Sequence, residues 1–286
     1  MSRPRVLLLL NHARDEVSER LDEVRRTLGD LAEVVLELEA DNAPLPTGIE
    51  ADLAVVLGGD GTLLGQARRL LDLAIPMVGV NFGRLGLLAE FDWTSLVQNA
   101  EAVFGGQPIV RERMVLEAAV ENERGETVYR GVAINDCVVT AGYPFRMIEL
   151  LLHIDDDEGP DLTGDGVILS TPIGSTAYNV SAGGPIVHPD LDAIVITPSA
   201  AHSLAFRPIV APGSAVLRAV MIRANPGTTL VLDGNSAVHL APGQTVTVRR
   251  HGQRVKFVGN PSTTYWRTLL DKMRWAAPPN YRDRGR

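Results

Sequence analysis

Apolar residues change their spacing part-way along this chain, and that change limits the folds open to it. In the first hundred residues, short continuous apolar runs alternate with stretches of helical spacing. Residues 5–10 read as a fully buried strand, and 32–38, 51–57 and 75–80 as further strands. Between them, residues 14–28 set Val17, Leu21, Val24 and Leu28 on one helical face, with Gly29 as the stop. Residues 62–73 and 94–104 read as two more helices. Strands that alternate with helices predict a parallel sheet covered on both faces. The pattern breaks at Gly105-Gly106-Gln107-Pro108. Beyond it lie short strand-like runs: 114–120, 131–140, 147–154, 216–223, 228–232, 245–249 and 254–258. Turn signals separate the later ones (Asn225-Pro226-Gly227, Asp233-Gly234-Asn235, Pro242-Gly243, His251-Gly252), which predicts an antiparallel β domain. Residues 263–275 return to helical spacing, and the tail 278–286 is expected to fray.

Composition narrows the function classes. With 45% hydrophobic residues in 286, the chain can bury a sizeable core. Its net charge is −8, and no block of basic residues occurs, so a nucleic-acid partner is not expected. The longest apolar run near the start, Val6 to Leu10, is too short to span a bilayer and sits too close to the terminus for a signal peptide; we expect no membrane association and a cytoplasmic protein. The single cysteine, Cys137, cannot form an internal disulfide and lies in an apolar run, as buried filler would.

Four stretches carry chemistry. The run 53–57 leads straight into Gly58-Gly59-Asp60-Gly61-Thr62, a strand, a glycine turn and a helix start. Such a turn offers unpaired N–H groups at a positive dipole end, which suits phosphate. A carboxylate there, Asp60, is out of place unless it accepts a proton or holds a metal against the phosphates; the plainer alternative is a residue capping the next helix. The loop is not a phosphate-binding loop of the G-x-x-x-x-G-K type, since neither Lys256 nor Lys272 follows a glycine-rich turn. Asn81-Phe82-Gly83-Arg84-Leu85-Gly86 occupies the end of the next parallel strand, where ligands of open α/β sheets gather. Asn135-Asp136 interrupts an apolar run and needs partners if buried. The longest stretch, 164–185, joins a strand to a Pro-Gly turn and a hydroxyl-rich helix, with Tyr178 as a flat face with a polar tip. Its polarity without charge suits a base, carboxamide or ribose.

Together these residues resemble the NAD kinase family. Gly58–Thr62 matches that family's GGDGT motif, Asn81–Gly86 its NxGxxG, Asn135-Asp136 its Asn-acid pair, and 170–185 its STPTGSTAYxxSAGGP signature. Residues 202–210 resemble a later motif, and Asp233-Gly234-Asn235 stands where the family often has DGQ. The resemblance implies a Rossmann-like three-layer α/β domain (1–108, with the 262–286 helix returning to it) and an antiparallel β-sandwich-like, NAD-binding domain (109–261). It implies transfer of the ATP γ-phosphoryl group to the 2′-hydroxyl of the adenosine ribose of NAD, with Asp60 as base. Gly58, Gly59, Gly61 and Thr62 would cradle the phosphates, with Asn81 close by. Asn135 and Asp136 would hold adenosine, and Arg146 would meet the dinucleotide phosphates. Asp165 and Tyr178 would contact the nicotinamide ribose. Thr176, Ala177 and Ser181 would line the adenine side, with Ile173, Asn179, Val180 and Asn235 completing the nucleotide-binding set. No side-chain metal site is implied; Mg²⁺, or another divalent cation, would arrive on the ATP phosphates. Homodimers or homotetramers are usual in the family. Ile173, Leu87, Thr163 and Asn235 depart from its common pattern. A lipid-type GGDGT kinase and a non-catalytic NAD(P) sensor are the alternative readings.

Overall fold

The computed structural model describes residues 3–83 and 86–273. The first part of the chain runs β1 (Arg5–Leu10), α1 (Asp15–Ser18), α2 (Leu21–Leu31), β2 (Glu33–Glu39), β3 (Leu53–Leu57), α3 (Asp60–Arg69), β4 (Met77–Val80), α4 (Trp93–Gln98) and α5 (Ala100–Phe104). Strands β5 (Val110–Arg113), β6 (Leu116–Glu121), β7 (Thr127–Ala133), β8 (Asp136–Thr140), β9 (Ile148–Ile154), β10 (Asp157–Gly164) and β11 (Gly166–Ser170) follow. After α6 (Tyr178–Ser181) come β12 (Ala193–Ser199), β13 (Ile209–Pro212), β14 (Leu217–Arg223), β15 (Thr229–Leu232), β16 (Asn235–His239), β17 (Thr245–Arg250), β18 (Val255–Val258) and α7 (Tyr265–Met273). Two compact units result: one reaches Arg111 and resumes at Lys256, and the other is Glu112–Val255.

In the first unit, the strands lie in the order β2-β1-β3-β4-β18-β5. The pairs β1·β2, β1·β3, β3·β4 and β4·β18 are parallel. The chain leaves β1 toward β2 on one side and returns to β3 on the other, so the sheet has a switch point between β1 and β3, where such sheets bind ligands. Leu10 pairs with Leu57 and Leu57 with Val80. The loops after β1, β3 and β4 therefore leave the carboxyl edge side by side. Every residue of β3 and β4 is buried, which explains their unbroken apolar sequence. One face of the sheet packs Val6, Leu8, Leu10, Val55 and Leu57 against Val17, Val24, Leu28, Leu96 and Val103 of the helices.

The second unit holds two six-stranded sheets, β10-β9-β14-β17-β6-β7 and β13-β12-β11-β8-β15-β16. Their pairings are antiparallel. One core takes alternate residues from both, among them Leu116, Val120, Leu150 and Val246 from the first and Cys137, Val139, Val167 and Ile196 from the second. That is a sandwich. Cys137 is buried there, where burial pushes its thiol well above the ordinary range.

Several local readings need correction. The stripe over 14–28 is two helices broken at Glu19-Arg20, and α2 runs through Gly29 to Leu31. An exposed glycine costs a helix only about 1 kcal/mol, and here that does not stop it. The 94–104 helix is also two, with Asn99 closing α4; α4 starts one residue earlier because Asp92 and Ser95 form a reciprocal cap. The run 131–140 divides at Asn135 into β7 and β8. The run 254–258, grouped above with the antiparallel strands, is β18, which pairs in parallel with β4 through Phe257 and Met77. Its apolar residues read alike in either setting. The expected fraying of 278–286, and the last residues of the 263–275 helix, lie outside the described residues.

Candidate active site

The glycine turn after β3 presents the N–H groups of an uncapped helix start, but not from all the residues expected. Gly59 is the N-cap of α3, and no side chain caps that helix. Its carbonyl accepts the first helical bond, from Leu63 N–H (3.0 Å). The N–H groups of Asp60, Gly61 and Thr62 are the donors that helix geometry leaves unpaired. Gly58 is different, because its N–H donates to the Val80 carbonyl (2.9 Å) and is spent on the sheet. The expectation that the Gly58 amide cradles phosphate is therefore corrected. Glycine is needed there for another reason: a Cβ would sit 2.6 Å from Thr62 Oγ1. Thr62 Oγ1 in turn accepts a hydrogen bond from Asn11 Nδ2 (2.9 Å) in the loop after β1.

Asp60 does not cap its own helix. Its carboxylate reaches the loop after β4, where Oδ2 accepts from Leu87 N–H (2.8 Å) and Oδ1 from Leu88 N–H (3.2 Å) and Ala89 N–H (3.0 Å). The carboxylate lies against Gly86, at which a Cβ would come within 1.7 Å of Oδ1. A carboxylate has about four lone-pair positions, so three N–H donors leave one acceptor position, on Oδ2. Asn81 is buried beside this loop, and its Oδ1 accepts from Gly83 N–H (3.2 Å). Arg84 and Leu85 of the NxGxxG segment lie outside the described residues.

In the second unit, β8, the segment 177–178 after β11 and the β15–β16 turn line an open cavity of about 380 Å³. Asn135, Asp136, Ala177, Tyr178, Val138, Thr140, Val231, Asp233 and Gly234 line it. Asp233 and Gly234 both have positive φ (48° and 78°), the form that a tight two-residue hairpin turn requires. The turn aims the Asp233 carboxylate back at the β7–β8 break, where it accepts from the N–H groups of Ile134 (3.0 Å), Asn135 (2.7 Å) and Asp136 (3.1 Å). Thr171 Oγ1 donates to the Ile134 carbonyl (2.7 Å), and Thr171 N–H to that of Asn135 (2.8 Å). Gly174 is forced to be glycine, since a Cβ would lie 2.0 Å from the Asn135 carbonyl oxygen. Burial, with the Asp233 charge as a second cause, pushes the Asp136 carboxyl up to about 7. The Asn135 side-chain oxygen is buried without a hydrogen-bond partner. The site thus offers an unsatisfied amide and a carboxyl able to take or release a proton near neutrality, in a mostly apolar slot (Val138, Val231). Its volume falls at the small end of ligand cavities.

The structure gathers Asn135, Asp136, Ala177 and Tyr178 of the expected set in one cavity. Asn179 is not part of it. It is fully buried, with Nδ2 donating to the carbonyls of Ser175 (3.0 Å) and Pro185 (2.9 Å), and Oδ1 accepting from Thr197 Oγ1 (2.6 Å). Its amide is used up fastening the turn, so its expected ligand role is corrected to a scaffold role. Ile173 is buried, and Thr176 Oγ1 donates to its carbonyl (3.0 Å). Val180 is half-buried outside the cavity lining, and Ser181, Arg146 and Asp165 are exposed. Asn235 is exposed too, donating to the Asp233 carbonyl (3.3 Å). Sequence reading places Asp233 in a turn signal, as the structure has it, but gives no hint that its carboxylate straps the 134–136 segment. It places Gly86 in a motif without its contact to Asp60, and it does not reach the 87–89 amides, which carry no side-chain signal.

Comparison with known proteins finds relatives over most of the chain. The family model of the ATP-NAD kinase N-terminal domain matches residues 46–107, and that of the ATP-NAD kinase C-terminal domain matches 134–259. The NAD kinase of Hahella chejuensis is 38% identical over 283 residues, which cover 94% of each chain. That of Magnetococcus marinus is 39% identical over 225 residues, 79% of this chain and 74% of its own length. Among solved structures, a yeast NADH kinase complexed with NADH superposes with a TM-score of 0.82, covering 98% of this chain and 89% of its own; at 23% identity it supports the fold alone. An Archaeoglobus fulgidus NAD kinase in complex with ATP gives a TM-score of 0.74 at 26% identity, over 94% of this chain and 98% of its own. With both family domains matched in order and such identity sustained over nearly the full length, the chain belongs to the NAD kinase family.

Proposed function

We propose that this chain makes NADP by moving the γ-phosphoryl group of ATP to the 2′-hydroxyl of the adenosine ribose of NAD. The O2′–P bond forms as the bond from Pγ to the β-phosphate oxygen breaks, and ADP leaves. The hydroxyl proton passes to Asp60, at Oδ2, the oxygen that carries a single N–H bond. The unpaired amides of Asp60, Gly61 and Thr62 address the phosphates. Asn135 and Asp136 hold the adenosine end of NAD, and Tyr178, which lines the same cavity, contacts the nicotinamide ribose. The observation that carries this reading is the Asp60 carboxylate, fixed by three N–H groups at the start of an uncapped helix. A carboxylate is unwelcome to phosphate, and fixing one there serves proton transfer.

Among the described residues, no three His, Cys, Asp or Glu side chains cluster as a metal set. The free groups at the loop are N–H donors, which suit phosphate oxygens. Mg²⁺ fits this chain as a passenger on the ATP phosphates, where it neutralises charge. We also assign the chain to a homo-oligomer in the cytoplasm. Tyr143, Phe145 and Leu204 are largely exposed on the second unit, and no helix among the described residues is long and apolar enough to cross a membrane.

The test is to incubate the purified protein with ATP, Mg²⁺ and NAD and to measure NADP. Formation of NADP dependent on Asp60 supports the proposal. A phosphorylated lipid in place of NADP, or tight NAD binding with no product, overturns it in favour of a lipid-type kinase or a sensor.

A further inference from the structure

The loop after β1 carries a cation whose placement the reading above does not use. Arg14 stands between β1 and α1 with an exposed side chain. Among the described residues, its guanidinium has no hydrogen bond or ion pair. Neighbouring arginines are engaged: Arg20 lies 5.5 Å from the Phe82 ring centroid, Arg25 pairs with Glu37, and Arg69 donates to the Glu39 carbonyl.

Arg14 is not simply loose in solvent. A Cβ built on Gly59 would lie 3.1 Å from Nη2, 3.5 Å from Cζ and 3.7 Å from Nη1, so the group turns its face to Gly59. The backbone that sets it there is tied down. Asn11 N–H donates to the Leu57 carbonyl (3.2 Å), Asn11 Nδ2 to Thr62 Oγ1 (2.9 Å), and Asn11 accepts from the N–H groups of Ala13 and Arg14 (3.2 Å each). The loop is thereby fastened to the first turn of α3. Gly59, as N-cap, has no side chain to push the guanidinium away.

The electrostatics of this arrangement point outward. A cation beside a helix N-terminus stands at the repulsive end of the dipole. The one carboxylate of that turn, Asp60, is committed to the 87–89 amides. A polyanion lying over residues 59–62 would satisfy the amides and the guanidinium together. A guanidinium grips phosphate oxygens through two parallel N–H bonds.

We propose that Arg14 binds the phosphate chain of the donor, so that the donor is held at this loop by its phosphates. The inference rests on the reading that ATP phosphates lie at residues 59–62.

Arg14→Ala and Arg14→Lys should be compared with the full-length wild type. The measurements are NADP formation with ATP and NAD varied separately, and calorimetric titration with Mg·ATP and with inorganic tripolyphosphate. We expect Arg14→Ala to raise the KM for ATP, and to weaken binding of both probes, by about ten- to a hundredfold, the size of a charged hydrogen-bonded contact. The KM for NAD and the melting temperature should stay at wild-type values. Arg14→Lys should recover part of the loss, and added guanidinium should partly restore Arg14→Ala alone. Wild-type ATP kinetics and tripolyphosphate binding in Arg14→Ala overturn the proposal, as does a fall in melting temperature that accounts for the loss. A wild-type protein that makes no NADP and binds no Mg·ATP overturns the parent reading, and this one with it.

Discussion

Gly86 offers the sharpest test of how Asp60 is held. An alanine there would place Cβ 1.7 Å from Oδ1, 2.3 Å from Cγ and 2.5 Å from Oδ2, where contacts below 3.0 Å are not sustained. The carboxylate or the 86–89 backbone must move by about 1.3 Å. Either movement breaks some of the bonds from Leu87, Leu88 and Ala89, each worth roughly 1.5–3 kcal/mol as a bond to a charged acceptor. A misplacement of ~1 Å can cost about 10²-fold in rate. We therefore expect Gly86→Ala to lower kcat for NADP formation by at least ~10²-fold. Mg·ATP affinity, read by calorimetry, should hold, because the amides of residues 60–62 do not depend on Gly86. Asp60→Asn should lose at least ~10²-fold on its own. It should keep the fold at a cost of ~1–3 kcal/mol, since its Nδ2 would face the Leu87 N–H. The decisive measurement is the double variant. If Gly86 acts only through Asp60, Gly86→Ala in the Asp60→Asn background costs little more. Multiplicative losses, or near-normal turnover in Gly86→Ala, would refute the reasoning.

The cavity lined by Asp136 yields further expectations. Asp136 sits at about 7 in the folded chain, against 3.8 for an ordinary carboxyl. Between those values the native state keeps a proton that the unfolded chain has lost, so stability falls as pH rises from about 4 to about 7, by up to a few kcal/mol. Bound ribose hydroxyls that donate to Asp136 favour its ionised form, so NAD affinity should rise with pH through about 7 and binding should release a proton; Asp136→Asn should flatten both profiles in calorimetry and denaturation. Asp233→Ala orphans three N–H groups of the 134–136 segment; it should weaken NAD binding and lower stability by ~2–5 kcal/mol while leaving the KM for ATP alone, and an unchanged KM for NAD would count against the strap. Asn179→Ala should cost ~2–4 kcal/mol in denaturation from its three buried bonds, yet leave the KM for NAD of the folded protein near wild type; a KM effect without a stability loss would restore the ligand role that burial argues against.

How far the fold could be read follows from where its instructions lie. The β-α alternation of the first hundred residues is legible because β3 and β4 are buried on both faces and α2 on one, so burial writes itself into spacing. Strand partnership is not written that way. Val255–Val258 has the composition of any buried strand, and its parallel pairing beside β4 depends on where the chain arrives after β17. Strands β10 and β16 give no strand-length apolar run, and the short run Ile209–Ala211 of β13 is mostly exposed. Helix breaks at Arg20 and Asn99 lie within acceptable helical sequence, where backbone geometry decides within about 1 kcal/mol.

The candidate site divides along the same line. Side chains that face a ligand cavity (Asn135, Asp136, Tyr178) are odd in their surroundings and can be seen. Side chains that hold others in place look just as odd, so sequence alone groups Asn179 with ligand contacts although its amide is satisfied inside the turn. Backbone groups are invisible to side-chain reading. The Leu87, Leu88 and Ala89 amides fix Asp60 through residues whose identity says nothing, and Gly86 matters for the room it leaves. The loop after β1 was invisible for a third reason: Arg14 resembles any surface arginine until β1 and β3 are seen as neighbours, with their exits on one edge. The glycine motif thus announces a phosphate site, while adjacent parallel strands decide which carboxylate and which cation stand over it. Substitutions at Gly86 and Arg14, neither of them in the glycine turn, should therefore separate its two tasks: kcat should follow Gly86, and donor affinity should follow Arg14.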